Sequence, residues 1–186
     1  MAQTYEEMDA IAMLKADHRK VEEIFAAFEK ARSPERKREL AEQVCLELKV
    51  HTAIEEEIFY PACRGTRVED DLLNEAYVEH DAAKVLIAVI EAGGPDEAFY
   101  DAQVKVLSEM IEHHVEEEEM RSEGMFSQAR AAGLDMDLLA DQMRARKRTA
   151  MEEYQAGTPD RPRTFPGGDV DSALTDEPFG DGAAVR

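Results

Sequence analysis

The sequence predicts an all-α protein, an antiparallel up-down-up-down four-helix bundle with an additional C-terminal helix. Three observations lead there. Apolar residues recur at helical spacing along most of residues 5–155, strand-like alternation is scarce, and breaker residues cut the pattern into four long stretches with short joints. The first helix is expected from about Tyr5 to Ala31. Ser33 and Pro34 supply an N-cap and a first helical position for the second, which should end near Tyr60, before Pro61 and Gly65. The third covers roughly Val68 to Glu91 and stops at Gly93-Gly94-Pro95. The fourth starts near Asp96 and reaches about Arg121. A short segment follows, and Gly133 precedes a fifth helix from about Asp135 to Gln155, whose docking face the pattern leaves open.

A chain of 186 residues with 44% hydrophobic content can bury one substantial core, which we place in residues 1–156. Residues 157–186 hold four of the seven prolines and five of the ten glycines with few large apolar residues, so a flexible or loosely attached tail is expected. The net charge of −20, from 42 acidic against 22 basic residues, argues against nucleic acid and anionic membrane surfaces as partners. No apolar run approaches a transmembrane span, and the N-terminus lacks the basic region of a secretory signal, so a cytoplasmic location is expected. Cys45 and Cys63 make neither a disulfide framework nor a thiolate cluster. Cys45 reads as a small apolar helix residue, while Cys63, just past Pro61, is expected to be the more accessible.

The histidines carry the functional signal. His51 is followed four residues later by Glu55, and His114 four residues later by Glu118. His18 precedes the first pair by 33 residues and His80 precedes the second by 34, so the unit occurs twice. Of the five histidines only His113 is left over. Neutral imidazole and carboxylate are the usual ligands of borderline divalent metals, and four imidazoles with two carboxylates suit a pair of ions better than one.

Seam positions place these residues inward. Ile11, Leu14, His18, Val21, Phe25 and Phe28 follow three- and four-residue steps, as do Ala41, Val44, Leu48, His51, Glu55 and Ile58. The third helix gives Leu73, Ala76, His80, Ala83, Ile87 and Ile90, and the fourth gives Tyr100, Val104, Leu107, Ile111, His114 and Glu118. A carboxylate in an apolar seam is costly unless it is paired or holds a metal. Glu56, Glu57, Glu116, Glu117 and Glu119 are rotated off the seam and expected to be mostly solvated, with Glu56 or Glu119 as substitutes for their neighbours. His113 reads as a surface residue or a support for the ligands.

ADH at 16–18, HTAIEEEIFYP at 51–61, VEH at 78–80, HHVEEEE at 113–119 and EGMF at 123–126 together resemble the hemerythrin family, in particular bacterial domains with a His-His-Glu cation-binding motif. The resemblance spans about residues 5–155. It implies two non-haem iron ions, one held by His18 and His51, the other by His80 and His114, with Glu55, Glu118 and an oxo or hydroxo group as bridges. Oxygen carriers of the family have one more histidine on the third helix. Here Ala76 and Lys84 flank His80 at four residues, which leaves one place for water, a small exogenous ligand, or an oxygen donor such as Tyr77. The ferritin-like alternative needs Glu-x-x-His, and no histidine here has an acid three residues before it.

These readings converge on a small soluble protein that binds or processes O₂, peroxide or nitric oxide at its metals. Reversible binding for storage or sensing, turnover of peroxide or nitric oxide, and iron storage or donation are the three classes in play. No separate acid–base constellation appears, so any activity must reside at the metals. Manganese or zinc can occupy similar ligands.

Overall fold

A computed structural model describes residues 5–163. Helix is the only regular structure among them: α1 (Ala10–Lys30), α2 (Pro34–Ile54), a π-helical turn (Glu55–Phe59), α3 (Tyr60–Cys63), α4 (Asp70–Ala92), α5 (Tyr100–Glu119), α6 (Met125–Ala131) and α7 (Met136–Gln155). Local chemistry fixes most of the boundaries. Residues 5–7 make a separate 3₁₀ turn, and α1 starts at Ala10 because the Asp9 carboxylate accepts the Ala12 N–H at 2.9 Å. Ser33 caps α2 through the Arg36 N–H, with Pro34 at the first helical position, as the sequence predicts. The expected start of the fourth helix at Asp96 is corrected to Tyr100. Residues 95–99 are spent on turns in which Glu97 donates to Gly94 and Tyr100 to Glu97.

The second helix outruns its expected end. Pro61 cannot donate to residue 57 and its ring crowds that carbonyl. The chain widens into the π turn just before it, with the Tyr60 N–H bonded to the Glu55 carbonyl five residues back, and then resumes α-helix to Cys63. After α5 the chain reverses at Gly124, where a Cβ would lie 2.6 Å from the backbone of Met120, so only glycine fits.

Two apolar clusters sandwich a polar layer. One is built from Ile11, Leu14, Ile54, Phe59, Leu73, Phe126 and α7 residues such as Met143. The other gathers Val21, Phe25, Val44, Leu48, Ile87, Leu107 and Ile111. The histidine level of each seam lies between them. Leu48 to Glu56 are all buried, because α2 turns one face to this core and presents Val50 and Ala53 to Ala150, Met151 and Tyr154 of α7. That settles the docking face of the fifth helix, which packs on α2 and α1.

Residues 157–163, the start of the expected tail, lie against the bundle: Pro162 is buried and the Arg163 N–H donates to Asp81 Oδ2 at 2.7 Å. The rest of that tail, residues 164–186, is outside the described residues. No helix of residues 5–163 is long and apolar enough to cross a membrane.

Candidate metal centre

All six residues singled out by the repeat meet in the polar layer, and all are buried. His18 and His51 face each other through their Nε2 atoms at 3.1 Å, and His80 and His114 do the same at 3.2 Å. Glu55 Oε2 lies 3.1 Å from His51 Nε2 and 3.4 Å from His80 Nε2. Glu118 Oε2 lies 3.4 Å from His18 Nε2 and 3.6 Å from His114 Nε2. Each carboxylate thus reaches one histidine of each pair. Two ligand groups result, His18–His51–Glu55–Glu118 and Glu55–His80–His114.

This donor set fits cations. His18, His80 and His114 donate Nδ1–H to a carboxylate, and His51 turns Nδ1 toward Asp17 at 3.6 Å, so the Nε2 lone pairs face inward. Two bare Nε2 atoms at 3.1 Å repel unless something positive lies between them. Glu55 Oε1 and Glu118 Oε2 are buried with no hydrogen-bond partner, a state that costs several kcal/mol if nothing compensates it. A metal with bonds of about 2.1 Å spaces adjacent donors about 3.0 Å apart at right angles, close to the separations seen.

An outer ring of acids supports the inner six. His18 Nδ1 lies 2.8 Å from Glu119 Oε1, His51 Nδ1 3.6 Å from Asp17 Oδ2, His80 Nδ1 3.1 Å from Glu56 Oε1, and His114 Nδ1 2.8 Å from Glu79 Oε2. The ring is itself a repeat. The acid just before the first histidine of each half (Asp17, Glu79) serves the second histidine of that half. The acid just after each seam glutamate (Glu56, Glu119) serves the first histidine of the other half. Read as acid-His…His-x-x-x-Glu-Glu, the motif was available in the sequence. Judging Glu56 by seam phase alone is what made it look solvated; it is buried, whereas Glu57 and Glu116 are exposed as expected. His113 is a surface residue, near Glu79 and Glu117.

Tyr60 is the missed member of the centre. Its hydroxyl is 3.0 Å from Glu118 Oε1, 3.2 Å from Glu55 Oε2 and 3.3 Å from His80 Nε2. At 3.6 residues per turn, residue 60 would point about 140° away from residue 55. The wider π turn brings the two onto one face. Tyr77, one of the three alternatives for the open place, does not reach the centre. Tyr77 donates outward to the Glu56 carbonyl at 3.2 Å and packs edge-on against the Tyr60 ring. Phe126 stacks on His18 and Phe59 meets Phe126 edge-on, which walls one side of the layer with aromatic carbon. Cys63 is fully buried, against the accessibility expected of it, and burial with the nearby Glu118 and Glu55 charges pushes its thiol up to about 12.

Charge is shared unevenly. Burial depresses His18 to about 4, despite its bond to Glu119. Burial also opposes charge on His51 and His114, yet Glu55 and Asp17 raise His51 to about 10, and Glu118 and Glu79 raise His114 to about 9. Burial and the Glu55 charge lift Glu118, while His51 and His80 outweigh burial and hold Glu55 well below the carboxylate range. Without metal, protons on His51 and His114 therefore supply the positive charge between the facing Nε2 atoms.

Known proteins share this architecture. The family described as Hemerythrin HHE cation binding domain matches residues 9–126. The crystal structure of a hemerythrin HHE cation binding domain-containing protein from Mycobacterium kansasii superposes with a TM-score of 0.67 at 21% identity. The likeness covers 81% of this chain and 94% of that one, and speaks for the fold. A curated protein from Nostoc sp., named DNA nickase, is 29% identical over 114 residues, which are 61% of this chain and 32% of the relative. The chain thus spans about a third of that relative's length.

Proposed function

Because this chain belongs to the hemerythrin family of HHE cation-binding domains, we propose that it is a non-haem di-iron protein that binds or processes O₂, peroxide or nitric oxide. His18 and His51 would hold one iron, His80 and His114 the other, with Glu55 and Glu118 spanning both. The observation that carries the reading is the pairing of each buried carboxylate with one histidine from each facing pair. An iron pair supplies redox change and open coordination for a small oxygen or nitrogen ligand.

The residues around it do the rest. Glu119, Asp17, Glu56 and Glu79 hold the imidazoles in one tautomer and one orientation. Tyr60 puts a hydroxyl beside His80 Nε2 and both seam glutamates, and burial with the Glu118 and Glu55 charges keeps it a phenol that can donate a hydrogen bond. Phe59 and Phe126 exclude water from that side. The lack of the carriers' further histidine, with Ala76 and Lys84 one turn either side of His80, favours turnover of peroxide or nitric oxide over reversible carriage. The nickase name of the Nostoc relative attaches to a protein of which the matched residues are only 32%, and a net charge of −20 does not favour a nucleic-acid partner here.

Stopped-flow spectroscopy tests the proposal: iron-loaded reduced protein against O₂, and oxidised protein against peroxide. A long-lived reversible adduct identifies a carrier, and peroxide loss with gas release identifies turnover. An optical spectrum that responds to neither ligand contradicts the proposal.

A further inference from the structure

Lys84 is 3% exposed, a depth at which an ammonium is costly unless paired. It lies one turn after His80 on α4 and reaches Glu56 Oε1 at 2.6 Å and Asp81 Oδ1 at 3.1 Å. The Glu56 oxygen it grips is the one that faces His80 Nδ1. Arg163 approaches from outside. Its backbone N–H donates to Asp81 Oδ2 at 2.7 Å, and its Nε lies 3.5 Å from Glu56 Oε2. The contacts close into a ring, Glu56–Lys84–Asp81–Arg163, drawn from the π turn, α4 and the segment after α7.

We propose that Lys84 and Arg163 are positioning residues that hold Glu56 against His80 Nδ1, so that the segment following the last helix forms a wall of the metal centre. A glutamate side chain has several rotatable bonds to fix, and a free one would leave the imidazole without a constant acceptor. Lys84, itself pinned by Asp81, removes that freedom. Arg163 clamps the far oxygens of both acids and, with the buried Pro162 beside it, covers the ring. The metal consequence rests on the proposed ligand role of His80, whereas the ring's grip on the imidazole does not.

The test uses the full chain with Lys84→Met and, separately, Arg163→Pro, which removes both the N–H donor and the guanidinium. Proton–nitrogen NMR of the metal-free protein reads the His80 Nδ1–H directly. It is expected to be slowly exchanging in the parent and at least about 10-fold faster in both variants, with the Glu79-bound His114 Nδ1–H unchanged. Zinc-loaded protein challenged with a chelator should then release one of two equivalents about 10-fold faster, the usual effect of losing an outer partner. Parent-like exchange at His80 in Arg163→Pro, the variant altered only at the outer edge, overturns the proposal. Should Lys84→Met fail to fold, Arg163→Pro alone decides. A parent that takes up no zinc refutes the ligand assignment, and the NMR comparison still judges the ring.

Discussion

The four outer acids do one job in two environments. Asp17 and Glu56 are buried at 5% and 4% exposure, and their cations are Lys147 of α7 and Lys84 of α4. Glu79 and Glu119 have side chains 21% exposed and take their charge partners at the surface: His113 for Glu79, Arg19 and Lys15 for Glu119. The division follows the cover. α7 and residues 157–163 lie over the Asp17 and Glu56 side, whereas the Glu79 and Glu119 side chains reach water. The twofold repeat sets which acid meets which histidine, and the added C-terminal elements decide which of those pairs water can reach.

Removing a cation should expose that difference most plainly. Lys147→Met leaves the buried Asp17 carboxylate with His51 and the Tyr5 hydroxyl but no lysine, and should cost about 3 kcal/mol in urea unfolding. Arg19→Ala on the open side should cost less than about 1 kcal/mol, since water replaces the lost partner. Equal losses would erase the distinction between covered and open halves.

Outer carboxamides should give a smaller and more even effect. Asp17→Asn, Glu56→Gln, Glu79→Gln and Glu119→Gln each keep shape but change what Nδ1 meets, and each should weaken metal binding about 10- to 100-fold in a chelator competition. Added salt should enlarge the deficit little on the covered side and alter it measurably on the open side, where screening operates.

Acidity extends the contrast. His51, flanked by the buried Asp17, should titrate near 10 in the metal-free protein, after His114 near 9, with His18 neutral until about 4. Both raised histidines gain charge on folding. Their contribution to stability is therefore complete below about pH 6.5 and is lost as pH rises through 9 to 10. Metal-free thermal unfolding should thus fall to lower temperature across that alkaline range. Zinc should abolish the fall, since it displaces the same protons. A midpoint flat from pH 7 to 10 without metal would falsify this charge assignment.

Much of this was legible in the residues. The six inner ligands stand out because polar side chains in an apolar seam are rare, and a spacing repeated on two helix pairs makes coincidence a poor account. The outer acids escaped because seam phase judges a helix by one inward face, and α2 has two, one against the bundle and one against α7. Glu56 reaches sideways to His80 and Lys84 of α4, and Asp17 on α1 reaches Lys147 of α7. Tyr60 escaped for a different reason: its place depends on a local change of helical pitch ahead of Pro61, which a fixed 3.6-residue period cannot represent. The ring at Lys84 needs residues 81 and 163 brought together across 82 positions, and no local pattern predicts that closure.

Metal content after reconstitution tests the centre most directly. The intact chain, exposed to ferrous iron or zinc and desalted, should retain two ions per molecule by elemental analysis, with His51→Ala and Glu118→Ala folded but each losing that stoichiometric retention. An intact chain that emerges without bound metal, or variants that keep both ions, would contradict the account.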